Sequence, residues 1–209
     1  EQLLDQLSFK LPSSAQYAQE RRLVSAHPSG ASTFSPDGVR VMRFVITGEN
    51  WMDPATLRLA LKVRNTSPDQ TLQLASGPWC LFDQVRLLIG GTEVERIATY
   101  GRTHELFRHL LMPNAWNVES TNEDGTTYIL GNYPQVAPKA IGPGQYLSLN
   151  LTPLLGILNC DKYLPLKFLG GMQLEFTLAN TNEALMPLSG SRSFQIEQPQ
   201  MRYSTISLD

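Results

Sequence analysis

From Val39 onward, apolar and polar positions alternate in short runs broken by turn residues. "VRVMRFVITG" (39–48) has the period of two of a half-buried strand, ended by Gly48. Asp53-Pro54 reads as a turn or a strand start. Leu57, Leu59, Leu61 and Val63 then alternate with Arg58, Ala60, Lys62 and Arg64. "SPDQ" reads as a turn and "TLQLAS" as a short strand. Val85, Leu87 and Ile89 lead into Gly90-Gly91, and Val94 and Ile97 lead out, which predicts a hairpin. The same alternation puts Glu93 and Glu95 on the outer face of that hairpin. "YLSLNLTPLL" alternates again. In "MQLEFTLAN", Leu174, Phe176 and Leu178 share one face, with Gln173, Glu175 and Thr177 on the other. "SFQIEQPQMRYSTISLD" supplies one or two closing strands. The pattern predicts about eight to ten strands with one or two short helices in the connections. It lacks the strand–helix alternation of a parallel sheet. The expected architecture is all-β: an antiparallel, eight-stranded jelly-roll β-sandwich.

Three segments depart from this pattern. Residues 1–35 are polar, without sustained alternation, and read as an extended N-terminal arm, leaving 36–209 as the jelly-roll domain. "YGRTHELFRHLLM" reads as a short amphipathic helix in a connection. Tyr100, Phe107 and Leu111 lie to one side with Leu110 beside them, Arg102, Glu105 and Arg108 face water, and the helix stops before Pro113. Residues of about 113–145 form a polar, turn-rich stretch of the kind that carries surface contacts.

Composition narrows the function. Charged residues are only 17% of the chain, and a surface short of charge suits one partly covered by partners. The net charge of −2 gives no basic field for nucleic acid, and no apolar run is long enough to span a bilayer.

Candidate chemistry is sparse. "HELFRH" resembles the zinc-protease H-E-x-x-H, but its histidines are five residues apart, not four. On a helix that leaves the His104 and His109 rings about 140° apart, too far round to share one ion. "NEDG" (122–125) lacks the spacing of a calcium loop and reads as a turn. No G-x-S-x-G or phosphate-binding loop occurs. Cys80 and Cys160 lie in apolar or structural surroundings and read by default as buried thiols, with a disulfide between them as the alternative that no spacing signature marks. Asn65-Thr66-Ser67 and Asn150-Leu151-Thr152 match the short glycosylation pattern. Trp79 belongs to the core, whereas Trp116 is a large ring in a polar loop and a candidate contact. Neither an enzyme nor a cofactor is expected from these residues. A carbohydrate-binding β-sandwich, stacking sugars on Trp116 and Tyr128, is the alternative from the binding class.

The order of segments adds a family. "ENWMDPATLRLALKV", "LFDQVRLLIGGTEVERIATYGRTHELFRHLL" and "LSLNLTPLLGILNCDKYLPLKFLGGMQLEFTL", closed by "PQMRYSTISLD", resemble the first barrel of double jelly-roll major capsid proteins. That family builds the icosahedral shells of adenovirus-like and polinton-like viruses, virophages and large DNA viruses. The resemblance implies a structural capsid subunit in the virion, assembled inside the host cell. Its partners would be two further copies in a homotrimeric capsomer and neighbouring or minor capsid proteins. Trp116, Tyr128, Tyr133, Arg21 and Arg22 become candidate inter-subunit contacts. The family carries two barrels per chain, so a single-barrel, penton-type vertex protein is the variant reading.

Overall fold

The computed structural model describes residues 18–110, 126–129, 135–138, 140–186 and 190–208. In chain order its strands are β1 (Ala18–Ala26), β2 (Thr33–Phe34), β3 (Val41–Ile46), β4 (Trp51–Asn65), β5 (Phe82–Ile89), β6 (Thr92–Ala98), β7 (Thr126–Ile129), β8 (Gln135–Pro138), β9 (Tyr146–Leu151), β10 (Leu164–Pro165), β11 (Met172–Leu178) and β12 (Phe194–Leu208). In the first sheet, β12 pairs with β4 along one edge and with β1 and β2 along the other. The far edge of β4 carries β9 and β10. The second sheet runs β3-β11-β5-β6, and β7 and β8 pair as a separate hairpin. All pairings are antiparallel. The chain crosses between the two sheets at β2–β3, β3–β4, β4–β5, β10–β11 and β11–β12, while β5 and β6 follow one another as paired neighbours in the second sheet. That weave is a jelly roll.

On β4 and β11 the inward residues are those that the alternation predicts. Leu59, Leu61 and Val63 from β4 and Leu174, Phe176 and Leu178 from β11 are buried in one core with Met42, Phe44 and Ile46 from β3, whose other face carries the exposed Val41 and Val45. Rings interlock at one end: Phe44 and Phe82 each meet Phe176 edge-on, at 6.0 and 5.6 Å between centroids. Trp79 adds a contact to Phe82 at 5.4 Å. Such pairs add directional attraction to the burial of area. Gly90 and Gly91 have φ of 57° and 80°, the left-handed pair that a two-residue hairpin turn requires.

Four expectations are corrected. First, part of the predicted arm belongs to the sandwich. β1 runs beside β12 from Ala18↔Leu208 to Ala26↔Met201. Its inward face is little more than Val24 and Ala26, too few for an alternation to register. Second, Asp53-Pro54 does not start or break a strand. It lies in a bulge inside the single strand β4, between the pairs Asp53↔Ser204 and Arg58↔Arg202. Thr56 Oγ1 accepts the Ser204 amide at 2.8 Å and donates to Asp53 O at 2.7 Å, so the bulge supplies its own bonds. Third, Val94 does not point inward. Glu93 pairs with Leu88 and Glu95 with Leu87, which leaves Val94 as the extra residue of a bulge and exposed. Fourth, "TLQLAS" makes only two isolated bridges, Leu72↔Ile141 and Leu74↔Leu185.

Asn65 ties the loops at one end of the barrel. It is fully buried, and its Nδ2 donates to the carbonyls of Gln70, Ile141 and Gly142 at 2.8, 3.0 and 3.1 Å. Its Oδ1 accepts from the Ser67 amide and the Ser191 hydroxyl. A glycan cannot be attached to an amide held this way, so the first glycosylation pattern is structural. We expect Asn65→Asp to destabilise the fold by about 2–4 kcal/mol, because a carboxylate only accepts and would face three carbonyls. A urea unfolding midpoint unchanged from wild type would contradict this.

Candidate assembly surfaces

The helix Tyr100–Leu110 follows β6 and packs through its first turn. Gly101 makes this approach close: a Cβ there would sit 2.8 Å from Cys80 Cα and 2.9 Å from Trp79 O. Beside it the Tyr100 ring lies 5.1 Å from Trp79, and its hydroxyl accepts the Leu154 amide at 2.6 Å. Burial pushes the Tyr100 hydroxyl pKa upward. The His104 ring packs on Trp79 at 5.3 Å, where a structural histidine belongs. The side chain of His109 lies outside the described residues. The buried face of the helix is therefore the Tyr100–His104 line. This corrects the expected orientation: Phe107 and Leu110 do not pack inward but are exposed, at 52% and 74%, together with Leu106 at 62%. Glu105 is half-buried, and Leu111 is outside the described residues.

The outer face of the second sheet holds a chain of ion pairs. Glu175, central in β11, is only 5% exposed although it points away from the core. Arg43 from β3 reaches its Oε1 at 2.7 Å, and Arg86 from β5 reaches its Oε2 at 3.0 Å. Arg86 also pairs with Glu93 at 2.6 Å, and Gln173 donates to Glu175 at 2.8 Å. These charges face one another directly across the strands, Arg43↔Glu175↔Arg86. The face is thus saturated by its own partners. Glu93 lies where expected, but Glu95 does not: both its oxygens accept the Gly156 amide at 2.9 Å, anchoring the connection after β9.

The outer face of the first sheet differs. Arg64 pairs with Glu197 at 3.2 Å and Arg21 with Asp53 at 2.7 Å. Lys62 lies 5.1 Å over the Tyr146 ring, and Arg202 donates to Gln200. A bulge in β12, with Gln198 at φ 51°, borders a trough of about 340 Å³ lined by Lys62, Ser148, Asn150, Gln198, Gln200 and Arg202. At the barrel end, a cleft of about 320 Å³ opens between the turn Pro78–Leu81 and the helices Tyr100–Leu110 and Thr181–Ala184. Asp83, Glu105, Glu183 and Arg102 line it.

Of the predicted contact residues, Arg21 and Arg22 lie on β1, with Arg22 paired to Glu20 at 2.7 Å. Tyr128 pairs with Val136 in the β7–β8 hairpin, and its side chain is outside the described residues. Trp116 and Tyr133 also lie outside them. Cys80 and Cys160 are both free. The described residues hold no cluster of metal-ligating side chains, and among them no helix is long and apolar enough to cross a membrane. Sequence reasoning placed Glu175 on the outer face but missed its arginine partners and the charged trough. Alternation marks which residues face outward, but not which of them meet across strands.

Solved structures share this architecture. Over 97% of its length the chain matches the capsid of PBCV-1 virus, with a TM-score of 0.57 at 15% sequence identity. It matches VP54 of PBCV-1, fitted into a reconstruction of the virophage Sputnik, with a TM-score of 0.52 at 16% identity. The Sputnik virophage itself gives 0.50 at 13%. The likeness is one of fold: a jelly roll shared with these capsid structures. The chain covers 46%, 46% and 50% of those chains, about half their length. No family model and no curated protein matches the sequence.

Cys80 gives this region a chemical readout. Burial raises its thiol pKa from 9.0 to about 11, and its Sγ donates to Ala184 O at 3.1 Å. The native state therefore holds a proton that the unfolded chain releases near pH 9. Stability from this thiol is fully present below pH 9 and is lost as pH rises through about 11. We expect Cys80→Ala to flatten that part of the stability profile; an unchanged slope between those values would contradict the assignment. Glu175→Ala should cost about 1–2 kcal/mol, reduced from a fully buried pair because Arg43 keeps much of its hydration. Thermal unfolding measures it, and a variant as stable as wild type would contradict the clamp.

Proposed function

We propose that this chain is a jelly-roll subunit of an icosahedral viral capsid, which trimerises into capsomers and contacts neighbouring or minor capsid proteins in a virion assembled inside the host cell. The observation that carries the reading is topological. The sheets β1/β2-β12-β4-β9/β10 and β3-β11-β5-β6 form one complete jelly roll, and its solved likenesses are viral capsid structures that it matches over about half a chain. Half a chain is the share that one barrel of a two-barrel subunit would occupy.

The chemistry is consistent with assembly. Among the buried and half-buried polar side chains, Glu175 holds two arginines, Asn65 holds loops, and His104 packs on Trp79. Charge on the surface is concentrated on faces and at one cleft, while Leu106, Phe107 and Leu110 leave an apolar stripe beside that cleft. Contact between such surfaces needs packing and charge matching, and no reaction.

Native mass spectrometry over a concentration series tests the reading. The expected result is a metal-free species near three times 23.3 kDa that grows with concentration. A chain that remains monomeric at every concentration contradicts the trimer.

A further inference from the structure

A closed ring of three identical subunits needs two different surfaces on each subunit, one fitting the other, because a self-complementary patch can only make pairs. The charge distribution supplies two candidates. On the outer face of the first sheet stand Arg21, Arg58, Lys62, Arg64 and Arg202 against the acids Asp53 and Glu197. That face is three charges positive in a chain whose net charge is −2. Two of its cations border the trough, and among the described residues neither Lys62 nor Arg202 makes an ion pair. At the barrel end, Asp83, Glu105 and Glu183 line the cleft against the single cation Arg102. Asp83 and Glu183 likewise make no ion pair among the described residues. The outer face of the second sheet contrasts with both places, because its Arg43–Glu175–Arg86–Glu93 row matches cation to carboxylate.

We propose that the cationic outer face of the β1/β2-β12-β4-β9 sheet, centred on Lys62 and Arg202, docks onto the acidic cleft mouth, carried by Asp83 and Glu183, of a second copy of this chain. The contact is head-to-tail, the kind of interface that a closed ring of three requires. The inference rests on the trimeric reading above and names its interface. Opposite potentials would steer the encounter and fix its register, and exposed charge pairs of this kind weaken as salt rises.

Charge reversal on the full chain is the test, read as the trimer dissociation constant by sedimentation or native mass spectrometry. Lys62→Glu with Arg202→Glu should weaken the trimer at least about tenfold, as should Asp83→Lys with Glu183→Lys, because each places like charges opposite one another. Combining all four substitutions in one chain should restore the trimer, since the two surfaces are again complementary. The wild-type trimer should also loosen as sodium chloride is raised, a readout that needs no variant. Circular dichroism and unfolding midpoints establish that each variant is folded. A wild-type trimer indifferent to salt and to both reversals, or a fourfold variant that does not recover, overturns this interface while leaving the capsid reading intact. A wild-type chain that never trimerises overturns both.

Discussion

The antiparallel ladder between β4 and β12 is the constraint on which the rest of the structure depends. Each strand is fifteen residues long, and they pair from Asn65↔Phe194 at one end of the barrel to Trp51↔Ile206 at the other. Every other strand of the first sheet hangs from one of these two: β1 and β2 from β12, β9 and β10 from β4. Their inward side chains form the floor on which β3, β11 and β5 close the core. So long a pair spans the whole barrel only because it is bent. The bulges at Pro54–Leu57 and Gln198–Pro199 let the twisted strands stay in register at both ends.

Those bulges also shape the outside. The kink at Gln198 lies beside the trough that Lys62 and Arg202 border, and the bulge after Asp53 leaves that carboxylate in reach of Arg21 on β1. At the end where the ladder starts, Asn65 gathers three carbonyls from two loops, so the loops are fixed by the same residue that ends β4. Core, loops and surface charge are thus set by one pair of strands. The surface can be recharged without touching the core, because inward and outward residues alternate.

Much of this was legible in the sequence. The inward sets on β4, β5 and β11, and the Gly90-Gly91 turn, follow directly from a period of two and from glycine's left-handed φ. What misled was local exception. β1 has too small an inward face to alternate, Pro54 looks like a strand breaker until a bulge absorbs it, and Val94 is displaced by one extra residue. The helix was turned over for a different reason. Its hydrophobic count favoured Phe107 and Leu110, but the absence of a side chain at Gly101 lets the opposite turn press onto Trp79 and Cys80. Glu175 was placed on the correct face, yet its two arginines come from strands distant in sequence, and no spacing rule announces such a meeting.

Hydrogen exchange resolved along the chain tests the dependence on this ladder most directly. The account predicts that amides bonded between β4 and β12 exchange last, opening only with global unfolding, while β1 and β6, each paired along a single edge, exchange faster by local opening. If β4 and β12 lost protection before β1 or β6 under native conditions, the ladder would not be the element that holds the fold together, and the account would fail at its base.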